Sequence, residues 1–225
     1  MGLSSALSIA NSGLATVSRA AELVSNNVAN ATVESYARKE LALSPQTVGG
    51  QSAGVRVDGV LRAENAQATA TRRQTAAEHG AAFVASNGRA NLSALLGLPG
   101  EAGALASQMV AFEDALRAAS NAPDSTSLLA NAAQRAGDVV SKLNGISTQT
   151  SAVRVAADQS IAQQVETVNS SLKQIESINA QIRMRANSGD VTGLEDERQR
   201  LIDQISAIIP IRQMRRDGGD VALYT

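Results

Sequence analysis

Residues 1–40 read MGLSSALSIANSGLATVSRAAELVSNNVANATVESYARKE, and the spacing of their apolar side chains decides how the rest of the chain is read. Leu3, Leu7, Ala10, Leu14, Val17, Ala21, Val24 and Val28 follow one another in alternating steps of four and three. Such a heptad seam predicts a coiled-coil-type helix. The stripe is narrow and buries too little surface to hold a lone helix, so it calls for a partner helix from this chain or from a neighbour. Asn26, Asn27 and Asn30 then stop the helix, because Asn competes for backbone hydrogen bonds and accepts helix-end geometry. Beyond Thr32 and Val33 the pattern turns extended.

Downstream, the composition points the same way. Apolar residues make up 44% of the 225 residues but aromatics only 2%, so any core is built from Ala, Leu, Ile and Val through close helix contacts. That favours a bundle over an enzyme-like α/β core. The formal net charge is −1 with both signs interspersed, and there is no Trp to stack a base, so nucleic-acid binding is not expected. With no Cys, disulfide scaffolds and thiolate metal sites are excluded. No apolar run reaches the length of a membrane span, and residues 1–30 lack the basic start, apolar block and cleavage site of a signal peptide. No membrane insertion is expected.

Taken in order, residues 36–54 read as extended chain and loop broken at Pro45 and by Gly and Ser, with a short strand at Val55 and Val57. A long Ala-rich helix is predicted from Arg62 to Leu96, with Asn87 and Gly88 as a point of interruption. Gly97 to Gly103 reads as a helix connection, since it lacks the Gly-Lys-Ser/Thr ending of a phosphate loop. Leu105, Met109, Phe112, Leu116 and Ala119 predict an amphipathic helix. A further helix capped by Asp124 or Ser125 carries Leu129, Ala133, Ala136, Val140 and Leu143 to Gly145.

The longest predicted helix runs from Thr148 to Asn187 on the seam Ile161, Val165, Val168, Leu172, Ile175, Asn179 and Ile182. Asn179 on that seam either fixes register when buried or lies near solvent. Asn187, Ser188, Gly189 and Asp190 turn the chain, and Leu194, Leu201, Ile205 and Ile208 lay a second stripe back on the first. Ile211 to Leu223 reads as a β-hairpin turning at Asp217–Asp220.

No catalytic, cofactor-binding or metal-binding residues are expected. His79 stands without a second His or a Cys, Glu195, Asp196 and Glu197 read as helix-start acids, and no nucleophile elbow is present. Arg212, Arg215 and Arg216 read as an exposed strand face. The fold expected is therefore mainly α: a coiled-coil-type N-terminal helix and an elongated helical bundle, with a short β-hairpin and small extended segments. The boundary is placed between residues 1–34 and 35–225.

The segment Ser25 to Glu40 resembles the signature that opens bacterial flagellar axial proteins, the rod, hook and hook-associated family. There a heptad helix enters Asn-Asn-(Ile/Val)-Ala-Asn, a short turn, and a Tyr with a basic residue two positions on. Asn26, Asn27, Val28, Ala29, Asn30, Tyr36 and Arg38 match in order. The turn departs from the usual Asn-Thr-Pro-Gly and reads Thr32, Val33, Glu34 and Ser35; a Ser held at positive φ there would be strained. GVRVDGVLR (54–62), MVAFEDALRAASNAPD (109–124) and LEDERQRLIDQIS (194–206) are similar to the hook-associated branch that joins hook to filament.

The resemblance implies a structural subunit, not an enzyme, placed extracellularly in the flagellum at the hook–filament junction and exported without a cleaved signal peptide. Its implied partners are neighbouring copies of itself, the hook protein, the next junction protein and the flagellar export apparatus. A hook or distal rod subunit is the same-class alternative, which the long helices between Ala102 and Ile208 disfavour. The alternative of another class is a coiled-coil signalling or adaptor module. Family members end in a second heptad helix, so a chain stopping at Thr225 is expected to be a fragment or a truncation, to self-associate poorly, and to keep its first thirty residues mobile until packed.

Overall fold

The computed structural model describes residues 2–33, 35–185 and 189–225. The chain is mainly α, with five helices and two two-stranded antiparallel sheets among those residues. It divides into two compact units, one of residues 1–78 with 167–225 and one of residues 79–166.

In the first unit, α1 (Leu3–Ala29) is followed by the hairpin β1 (Lys39–Val48) and β2 (Gln51–Arg62). The hairpin replaces the loop expected over residues 36–54. Its two-residue turn is Gly49-Gly50, with φ of +59° and +79°, the mirror-image geometry that matches strand twist. Pro45 is tolerated inside β1 because both strands are edges, so its missing N–H leaves no ladder incomplete. The register shifts between Ala42 and Leu43 and again between Gln46 and Thr47.

The N-terminal part of α2 (Ala66–Leu96) belongs to this unit, starting after the Asn65 side chain accepts the Ala68 amide at 3.0 Å. The unit's core lies where the end of α4 (Thr126–Arg185) meets α5 (Thr192–Ser206) and the hairpin β3 (Arg212–Arg215) and β4 (Val221–Tyr224). Ile175, Ile178, Ile182, Leu201, Ile202, Ile205 and Val221 are buried together there. Asp217–Gly219 forms the connecting turn, with Gly218 and Gly219 at positive φ.

The second unit holds the remainder of α2, α3 (Leu105–Asn121) and the first part of α4. Its small buried cluster is Ala115 and Ala119 of α3 against Ala132 of α4, with Leu128 packed alongside. The buried faces are those of the small side chains. Of the expected stripes, Ala119 is buried and Leu105, Phe112 and Ala136 are half-buried, while Met109, Leu116, Leu129, Val140 and Leu143 are exposed, because helices that approach through Ala turn their larger residues away.

Two further expectations are corrected. The helices expected on either side of residues 145–148 are one: α4 runs unbroken for 60 residues, or about 90 Å at 1.5 Å per residue. Gly145 alone costs a helix interior only about 1 kcal/mol, too little to end it without Pro or a cap. On the predicted seam half of α4 the buried positions are Ser171, Ile175, Ile178 and Ile182, while Ile161, Val165 and Leu172 are exposed. Glu34 of the expected boundary, and Asn187 and Ser188 of the expected helix stop, lie outside the described residues.

Candidate functional site

Helix α1 has two stripes of the same period, and the structure treats them oppositely. Ile9, Ser12, Thr16, Leu23 and Asn27 face inward and are buried or half-buried. The contact is close at Ser12, whose Oγ lies 3.3 Å from the Val55 amide, opposite Gly54 at φ +113°. A Cβ on Gly54 would stand 2.2 Å from that Oγ, so this crossing requires glycine.

The other stripe is the heptad seam. Leu3, Leu7, Ala10, Leu14, Val17, Ala21, Val24 and Val28 are all exposed, with Leu3 at 92%, Leu14 at 70% and Val28 at 71%. Since the helix already has the β1–β2 hairpin as its support, the ridge remains turned outward. Among the described residues the inner stripe is thus covered and the seam is left open.

At the end of α1 the asparagines divide their work. Asn27 is a clamp: its Nδ2 donates to the Lys39 carbonyl at 2.9 Å, and its Oδ1 accepts from the Lys39 amide at 2.9 Å and from the Tyr36 hydroxyl at 2.8 Å. One side chain thereby reproduces a strand-like pair with the first residue of β1. Asn30 donates to the Asn26 carbonyl at 2.9 Å and closes the last turn of the helix. Asn26, Ala29 and Arg38 face solvent or rim positions, Arg38 pairing with Glu40. No described non-glycine residue has positive φ, so the turn passes Ser35 without the strain expected there.

A groove of about 480 Å³ opens beside the clamp, lined by Val24, Asn27, Val28, Ala31, Tyr36 and Arg38. Val24 and Val28 belong to the ridge as well, so ridge and groove form a continuous apolar surface.

Several charged residues that carry this region gave no sequence signal of their role. Lys39 lies 5.1 Å from the centre of the Tyr36 ring and 2.8 Å from Asp196 of α5. Asp196 also accepts from Arg62 Nε at 2.8 Å, so this expected helix-start acid ties α5 to the hairpin. The α5 start is served by Asp190, which accepts the Thr192 amide at 2.8 Å. Arg73, buried on α2, donates to Asp203 and to Gln213, each at 2.7 Å. Asn179 is half-buried and fully engaged: its amide donates to the Val221 carbonyl at 3.0 Å and its oxygen accepts from Arg198 at 2.9 Å. Burial pulls the Arg198 guanidinium below its ordinary value, with Glu195 opposing the shift.

His79 is exposed and stacks on Phe83, with ring centres 6.4 Å apart. Among the described residues no group of three His, Asp or Glu side chains is placed to hold a metal ion. No helix among them is long and apolar enough to cross a membrane.

Residues 90–225 match the family model described as flagellar hook-associated protein FlgK helical domain. That span is more than half of the chain and takes in α3, α4, α5 and the second hairpin; the asparagine signature precedes it. No curated protein matches the sequence.

Proposed function

The chain belongs to the flagellar hook-associated FlgK helical-domain family, a structural family of the flagellum, and from that premise we propose that it is a subunit of the junction between hook and filament. Residues 1–34 form the inner, axial layer and residues 35–225 the outer wall. The seam Leu3, Leu7, Ala10, Leu14, Val17, Ala21, Val24 and Val28 packs against helices of neighbouring subunits, with hook protein on one side and the next junction protein on the other. The subunit leaves the cell through the flagellar export apparatus, without a cleaved signal. Asn27 and Tyr36 hold the seam helix to its own hairpin, while Asn26, Ala29 and Asn30 finish the helix and Arg38 lines the groove.

The observation that supports this reading is the ridge. Six large apolar side chains stand more than half exposed along one face of a helix whose opposite face is already occupied. An exposed apolar band of that kind marks an association surface, and its heptad spacing suits another helix. Deletion of the gene in the source bacterium, followed by electron microscopy, tests the assignment. Bare hooks with flagellin released into the medium are expected; complete filaments on the deletion strain overturn it.

A further inference from the structure

Among the described residues, the hydrophobic cluster of α4, α5 and β4 takes none from α1 or from the β1–β2 hairpin. A cleft of about 1020 Å³ runs beside the hairpin, with Leu23, Asn26 and Leu61 on one side and Val191, Thr192 and Glu195 on the other. What spans this junction is charge. Lys39 and Arg62 are direct cross-strand partners at the base of the hairpin, and both reach the same carboxylate, Asp196 Oδ2 and Oδ1, at 2.8 Å. Arg62 continues to Glu64 at 3.3 Å, and Glu64 accepts from Arg215 of β3. Lys39, Arg62 and Asp196 are largely buried, their side chains 14%, 9% and 16% exposed.

We propose that Asp196 is a positioning residue for the assembly ridge, holding α1 and its hairpin in one orientation on the α4–α5 core by bridging Lys39 and Arg62. The argument is electrostatic. Two like charges directly opposite on paired strands repel, and here both are shielded from water, where that repulsion is strengthened. A single carboxylate between them turns the repulsion into a three-body tie. Removing its charge does more than delete two contacts, because it leaves Lys39 and Arg62 facing each other at the point where the hairpin joins the core, with Glu64 paired, of these two cations, to Arg62 alone. Apolar packing, being non-directional, would permit sliding that a two-oxygen bridge forbids. The link continues to the ridge, since Lys39 is also the residue that Asn27 of α1 clamps through its backbone. The inference rests on the junction reading only for what the ridge is for; the orientation itself is a property of the single chain.

The chain has no native cysteine, so spin labels at Ser18→Cys on α1 and Gln174→Cys on α4, both exposed, report that orientation directly. The otherwise unaltered chain is expected to give one narrow distance distribution. Asp196→Asn is expected to lose that single peak to a broad or shifted one, and Asp196→Glu, which keeps the charge, to restore it. Amide exchange at Ile178 and Ile202 is read in parallel and is expected to stay protected in both variants. An Asp196→Asn distribution that matches the parent overturns the proposal, as does broadening accompanied by loss of core protection, which would make Asp196 a stability residue only. Complete filaments on the deletion strain would sink the junction assignment and leave these distances standing, so the two failures are distinguishable.

Discussion

At the scale of single residues, Asn27 carries more of the local structure than any other member of the signature. Its three hydrogen bonds to Lys39 and Tyr36 are each worth about 1 kcal/mol net. Asn27→Ala is therefore expected to open the α1–β1 junction by about 1–3 kcal/mol, read as faster exchange of the Lys39 amide with α5 unaffected. Gly54 is a steric case. Gly54→Ala places a Cβ at φ +113° against Ser12, so strain of about 1–3 kcal/mol is expected. Pairing it with Ser12→Ala removes the collision but not the backbone strain, and a double-mutant cycle separates the two; full recovery would show that strain contributes nothing. Glu197 shows how little an exposed pair does. Hydrogen bonds from Arg200 hold its carboxyl below the ordinary value of 4.5. Its stabilisation is thus fully present above that ordinary value and is lost as pH falls through the lower folded value. Both partners are about half exposed, so solvent screening keeps the effect small. Glu197→Gln should flatten only a minor acid-side slope in a pH series of denaturant midpoints.

Elements differ in how openly the sequence announced them. The heptad period of α1 was legible because apolar residues recur every seven positions in two interleaved series, and the α5 stripe because Leu201 and Ile205 recur at helical spacing. The first hairpin was missed: Val48-Gly49-Gly50-Gln51 carries a turn signal, but Pro45 and the surrounding Gly and Ser residues pointed to loop. The α3 and α4 faces misled for a physical reason: the cluster at Ala115, Ala119 and Ala132 is built from small residues, whose burial hydropathy does not rank above that of Leu or Met. The charged ties of the site were not legible at all, since nothing in a run of three acids marks Asp196 as the partner of residues more than 130 positions away. The continuity of α4 can be checked directly. A Cβ at Gly145 meets open space, so Gly145→Ala is expected to stabilise the chain by about 0.5–1 kcal/mol; a neutral result would favour a break there. In the α4–α5 core, Ile202 is fully buried, and Ile202→Ala is expected to cost about 2–5 kcal/mol in a denaturant titration.

For the molecule as a whole, the distinction that matters is between residues that keep the chain folded and residues that it holds outward for others. On the proposed reading the ridge belongs to the second kind. Leu7 and Leu14 are 68% and 70% exposed, so removing their apolar surface takes little from the folded monomer, while the inner face of α1 keeps its contacts at Ser12 and Asn27. In an assembled wall the same side chains would be dried by neighbours, each contributing about 1.5–3 kcal/mol on full burial. The effect is multiplied around a closed ring or helical tube, because every subunit loses the same contact. The double variant Leu7→Ser with Leu14→Ser is therefore expected to leave the melting temperature and circular dichroism of the purified chain near those of the parent. Expressed in place of the natural gene in the deletion strain, it is expected to leave hooks without filaments. Normal filaments from this variant would show that the exposed seam is not the surface through which subunits join, whatever the family of the remaining residues.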